Sequence, residues 1–134
     1  MILKNEEETA ALGAALGRAA RAGEVITLSG PLGVGKTALA RGLITALGHE
    51  GDVPSPSFAI VQPYEELEPP VWHVDLYRIE ESEESEEIEE LGLDAAADGV
   101  LVVEWPEHAG GGAWPQALGL SLAFSASGER ILTA

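Results

Sequence analysis

The chain has 134 residues, enough for one domain with a single buried core over residues 1–134. Its apolar share of 46% is that of a folded protein, and it has no cysteine, which excludes disulfides, thiolate metal sites and a cysteine nucleophile. With 23 acidic residues against 7 basic ones the net charge is −16, too few cations for a broad face that binds nucleic-acid phosphates directly.

The start, MILKNEEETAALG, lacks a basic region followed by an apolar run, and nothing approaches the roughly 18 apolar residues of a membrane span. Both readings predict a cytoplasmic protein without a membrane partner. The acidity reads equally well as solubility, adaptation to a salty cytoplasm, or complementarity to a basic partner.

Residues 6–22, EEETAALGAALGRAARA, place acids first and arginines last around Leu12 and Leu16, the charge order of a helix. EVITLS at 24–29 is a β-branched run and predicts a buried strand that ends at a glycine-rich loop. After the loop, Leu39, Leu43 and Leu47 share a helical stripe over 37–47, which Gly48 closes.

SPSFAIVQPY then predicts a proline-marked loop followed by a strand in FAIVQ, and VWHVDLYR at 71–78 predicts another. Eight glutamates between positions 80 and 90 predict a solvated helix or loop, with Ile88 and Leu91 as its anchors. VLVVEW at 100–105 predicts a buried strand that ends in a carboxylate. LGLSLAFSASGERILTA predicts an antiparallel hairpin that turns at SASG.

This order gives the α/β class, a sheet flanked by helices with a C-terminal antiparallel hairpin. The region from Pro54 to Arg78 has two strands and no helical pattern between them. A parallel crossover needs a longer connection, so the sheet is predicted to be mixed, mostly parallel with an antiparallel part.

GPLGVGKT at 30–37 matches G-x-x-x-x-G-K-[ST]. Gly30, Gly33 and Gly35 let the backbone turn tightly, and the N–H groups of the loop and of the following helix start can surround a phosphate. The segment predicted to hold a nucleotide is Gly30, Leu32, Gly33, Val34, Gly35, Lys36, Thr37 and Ala38. Lys36 would reach the β- and γ-phosphates, and the Thr37 hydroxyl would ligate Mg²⁺.

A P-loop enzyme also needs an acid beside the metal. Glu104, at the end of VLVV, is the favoured one, alone or through water. Asp75, after VWHV, is expected nearby as a second catalytic acid that positions water or metal. Ser55 and Ser57 lie where a P-loop switch can sense the γ-phosphate. His73 reads as a packed or paired core histidine, Trp105 and Trp114 read as core, and three histidines without metal spacing argue against zinc.

Together the motifs G-x-LG-x-GKT, SPSF, H-x-DLYR at 73–78, EELGLDA at 89–95 and VVEWPE at 102–107 resemble the TsaE family, the small P-loop ATPases of bacterial tRNA threonylcarbamoyladenosine biosynthesis. The resemblance covers nearly the whole chain. It implies an ATPase that uses ATP and Mg²⁺ and works with the two protein subunits of a threonylcarbamoyl transferase. The modified adenosine lies next to the anticodon, and tRNA would be met only indirectly, through those partners. By motif, Thr37 and Glu104 would hold Mg²⁺ and Lys36 the phosphates, with Asp75, Ser57 and Trp105 as functional neighbours and Arg130 beside the nucleotide. Pro31 stands where the family usually has Asp, which predicts slower hydrolysis, and Ser57 replaces its usual Thr.

Two other readings fit a P-loop chain of this size: a small-molecule kinase and a nucleotide-dependent binding module with little turnover. A kinase usually has an Arg-bearing lid, and the Glu-rich run after residue 78 argues against one. Preference for ATP over GTP follows from the resemblance; no N-K-x-D guanine motif is present.

Overall fold

The computed structural model describes residues 1–54, 61–77, 98–109, 114 and 116–134. Ser55, Ser57, Arg78, the Glu-rich run and EELGLDA therefore lie outside the described residues.

The elements follow in order: β1 (Ile2–Leu3), α1 (Glu6–Ala19), β2 (Val25–Ser29), α2 (Lys36–Ala46), β3 (Val61–Tyr64), β4 (Val71–Asp75), β5 (Val100–Glu104), a 3-10 helix (Pro106–Ala109), β6 (Leu118–Phe124) and β7 (Arg130–Thr133). The strands form one sheet in the order β1-β7-β6-β2-β5-β4-β3. Strands β6, β2, β5 and β4 run parallel, while β3 and β7 pair antiparallel with β4 and β6. This is the mixed sheet with a C-terminal hairpin expected from the sequence.

Helix α1 starts at Asn5, whose side-chain oxygen accepts from the Glu8 N–H at 2.9 Å. Glu6, Glu7 and Glu8 fill its first turn and Arg18 its last, as the helix dipole favours. The helix stops at Ala19, three residues before the expected end. Ala20 is already extended, and Gly23 at φ 93° turns the chain toward β2.

The face of α1 that meets α2 is lined by small residues. Thr9, Gly13 and Gly17 are its buried positions, with Leu12 and Leu16 only partly covered. A methyl at Gly13 would fall on the Leu39 carbonyl, and one at Gly42 on the Ala10 carbonyl. Glycine here lets the two helix backbones touch. Leu39, Leu43 and Ile44 of α2 then reach Ile26, Leu28, Val100 and Val102 on the sheet, forming the larger core. Val74, Leu101, Val103 and Ala109 form a smaller core on the other face, with Trp72, Trp105 and Trp114 packed against it.

Three strands differ from expectation. The described part of the FAIVQ strand runs on through Pro63 and Tyr64. Pro63 cannot donate to a ladder, and β3 tolerates it because it is an edge strand. Strand β4 ends at Asp75, before Arg78, because the Asp75 carboxylate accepts the Tyr77 N–H at 3.0 Å and turns the chain. Strand β1 was not foreseen; two residues carry too little pattern, and only pairing with Arg130 and Ile131 defines it. Among the described residues no helix is long and apolar enough to cross a membrane.

Candidate functional site

Parallel strands β2, β5 and β4 end at one edge of the sheet, and the glycine-rich loop leaves β2 there. Val34 is fully buried under the loop, donating its N–H to the Pro31 carbonyl at 3.3 Å and accepting from Arg130 Nε at 2.7 Å. Gly35 caps α2 at φ 114°, a left-handed conformation that disfavours a side chain. It offers no side-chain cap, and no acid follows in the first turn of α2. The first N–H groups of a helix have no partner within it, so this end suits an anion.

The strands next to the loop carry the acids. In the β4–β5 ladder Asp75 lies opposite Glu104, and His73 opposite Val102. Alternation along the strands turns His73, Asp75 and Glu104 to the helix side of the sheet. Glu104 is 2% exposed, and its two oxygens lie 2.9 and 3.2 Å from Thr37 Oγ1 on the first turn of α2. His73 Nε2 lies 2.6 Å from Glu104 Oε2. Burial raises the pKa of the Asp75 carboxyl, and the neighbouring Glu104 charge adds to this against the Tyr77 N–H bond.

Lys36 Nζ donates to the carbonyls of Gly30 and, at 3.1 Å, Pro31, and sits 4.0 Å from the centre of the Trp105 ring. Burial lowers its pKa, partly countered by the charges of Glu104 and Asp75. Trp105 has φ 59°, a left-handed backbone that a bulky residue rarely adopts and that costs of order 1–3 kcal/mol. That turn aims its ring at Lys36 and at Tyr77, whose ring centre is 5.1 Å away. Trp105, read as core from the sequence, therefore packs on the smaller core and also faces the cavity.

A cavity of about 320 Å³ opens here, lined by Leu32, Gly33, Gly35, Lys36, Thr37, Ala38, Asp75, Glu104, Trp105 and Arg130. These belong to the predicted site. Gly30 lies below it as an acceptor for Lys36, and Val34 is a buried support. Glu6, Arg41 and Tyr77 also line it and were not singled out from the sequence. Arg41 follows Thr37 by four residues on α2, so helical spacing could have found it. Tyr77 follows Asp75 by two. Nothing local marks Glu6, which reaches the site because α1 packs on α2; it lies 3.7 Å from Arg41.

A hydroxyl and a buried carboxylate within 3 Å of each other, with a second carboxylate on the adjacent strand, form an oxygen donor set. Mg²⁺ takes one or two such protein oxygens together with phosphates and water, so the residues present fit it. Among the described residues no group of three or more His, Cys, Asp or Glu could hold a metal by protein ligands alone.

The sequence profile described as "Threonylcarbamoyl adenosine biosynthesis protein TsaE" matches residues 3–131. The chain is 40% identical over 112 residues to the tRNA threonylcarbamoyladenosine biosynthesis protein TsaE of Mycobacterium leprae, covering 78% of this chain and 70% of that protein. It is 48% identical over 99 residues to the protein of the same name from Streptomyces coelicolor, covering 72% of this chain and 66% of that one. The crystal structure of Bacillus subtilis YdiB superposes with a TM-score of 0.79 at 32% identity, covering 98% of this chain and 80% of that one. With the P-loop, the mixed sheet and this match over nearly its whole length, the chain belongs to the TsaE family.

Proposed function

We propose that this protein is the Mg²⁺-dependent ATPase subunit of the machinery that adds threonylcarbamoyl to the adenosine next to the tRNA anticodon. The observation that carries the reading is the Thr37–Glu104 contact of 2.9 Å below the glycine-rich loop, beside Lys36. The family membership supports the tRNA side of it.

In this reading the N–H groups at the start of α2 and of the loop take the phosphates of ATP. Lys36 exchanges its bonds to the Gly30 and Pro31 carbonyls for charge-assisted bonds to the β- and γ-phosphates. Thr37 and Glu104 would hold Mg²⁺, which when bound would neutralise charge on those phosphates. Asp75 orients the attacking water, and burial raises the pKa of its carboxyl. Trp105 and Tyr77 shield the phosphate end of the cavity, and Arg130 holds the loop through Val34 while facing the nucleotide. The products are ADP and inorganic phosphate.

With a net charge of −16 the subunit meets tRNA through its two protein partners, which carry the transfer chemistry and stimulate turnover in the cytoplasm. The test is ATP hydrolysis by the protein alone and with the two transferase subunits. Stimulation by the partners is expected. ATP binding without any stimulation would replace this reading with a binding module or a small-molecule kinase.

A further inference from the structure

The mechanism above leaves the His73 imidazole without a task. His73 is fully buried in the middle of β4, yet it carries two ring nitrogens. Nε2 lies 2.6 Å from Glu104 Oε2. Among the described residues Nδ1 is buried with no hydrogen-bond partner. A histidine that only filled the core would be a poor choice there, since an apolar residue of similar volume leaves no polar atom unsatisfied.

We infer that His73 is a positioning residue for Glu104: its Nε2–H clamps one carboxylate oxygen from behind and so presents the carboxylate to Thr37 and to Mg²⁺. The inference rests on the proposed metal site and names a residue that acts through it.

The geometry supports this in two ways. The carboxylate is held from two elements at once. Oε2 lies 2.6 Å from His73 on β4, and Oε1 lies 2.9 Å from Thr37 on α2. The parallel register of β4 with β5 sets His73 beside Val102, two residues before Glu104 on the same face of the sheet, which brings the ring alongside the carboxylate. The hydrogen-bond inventory also sets the direction of this bond. A carboxylate only accepts, so the nitrogen facing it carries the proton. In a neutral imidazole the bare lone pair then falls on Nδ1, where a missing partner is tolerated more readily than a buried N–H would be. Groups of this kind behind a metal-binding carboxylate typically change metal affinity by about 10–100-fold when removed.

The test compares ADP binding by calorimetry, with Mg²⁺ and with EDTA, in the wild type, His73→Leu and His73→Gln. Leu keeps the bulk without a donor, and Gln places an N–H near the position of Nε2. His73→Leu is expected to lose about tenfold of the Mg²⁺-dependent gain in affinity while ADP binding in EDTA stays the same, and His73→Gln to recover most of it. Wild-type Mg²⁺ dependence in His73→Leu would overturn the inference and leave the metal site standing. Equal losses with Mg²⁺ and with EDTA, not recovered by Gln, would make His73 a core residue only. ADP binding that ignores Mg²⁺ in the wild type would overturn the metal-site reading itself and the role of His73 with it. Should His73→Leu fail to fold, ¹⁵N NMR of the wild-type imidazole decides instead. A protonated Nε2 is expected, and a bare Nε2 overturns the clamp.

Discussion

Thr37 and Glu104, 67 positions apart in the chain, meet through a hydroxyl–carboxylate hydrogen bond of 2.9 Å. One belongs to the first turn of α2, the other to the last residue of β5, and β2 with its loop joins the two elements. Glu104 loses water on both sides in this arrangement. It is compensated by bonds from Thr37 and His73, so a buried charge is paired rather than isolated.

Lys36→Ala removes the cation at the phosphate end of the cavity. Charge-assisted bonds of this kind contribute about 1.5–3 kcal/mol each, so ADP and ATP affinity should fall about 100-fold or below detection in calorimetry. Unchanged ATP affinity would mean that the loop does not hold phosphate.

Glu104→Ala should lower Mg²⁺-dependent hydrolysis about 10²–10³-fold while affecting ADP binding in EDTA far less. Single-turnover hydrolysis beside calorimetry separates the two effects. If Asp75→Ala gives that pattern and Glu104→Ala does not, the two acids have exchanged roles.

Gly13→Ala or Gly42→Ala should destabilise the fold by about 1–3 kcal/mol, because the added methyl meets the backbone of the facing helix and two rigid helices must separate. Thermal melting followed by circular dichroism should show Tm lower by several degrees. A Tm equal to that of the wild type would mean that α1 and α2 are not in backbone contact.

The pair His49–Glu66, with Nδ1 3.0 Å from Oε1, gives stability a pH dependence. The Glu66 bond raises the pKa of His49 from 6.5, so its contribution is complete below about 6.5 and lost as pH rises through the raised value. The Glu66 carboxyl is held below 4.5, first by a backbone hydrogen bond and then by His49. Its contribution is complete above about 4.5 and lost as pH falls. The stability difference between wild type and His49→Gln should therefore be largest between about pH 4.5 and 6.5 and shrink on both sides, in urea titrations at low salt. A difference flat from pH 4 to 9 would remove the ion pair from the account and leave the Nε2 contact of His49 with the Asp52 carbonyl and its edge contact with the Tyr64 ring.

Features that depend on neighbours along the chain are legible in the amino-acid sequence. GPLGVGKT names its own loop, because glycine spacing and a following helix are local properties. The charge order of α1, the β-branched run of β2 and the alternation in β6 likewise follow from short-range sterics and periodicity. The antiparallel partner for β4 was also legible, since no chain long enough for a crossover separates β3 from β4. Which residues far apart in sequence share the cavity depends on how the elements pack. Register in the β4–β5 ladder put Asp75 beside Glu104 and brought His73 within reach of it, and β7 carried Arg130 to Val34. The glycine contact of α1 with α2 brought Glu6 to the cavity and left leucines less buried than glycines. Strand pairing and helix contact are set by which surfaces bury best together, and no local pattern around Glu6 or His73 encodes their partners.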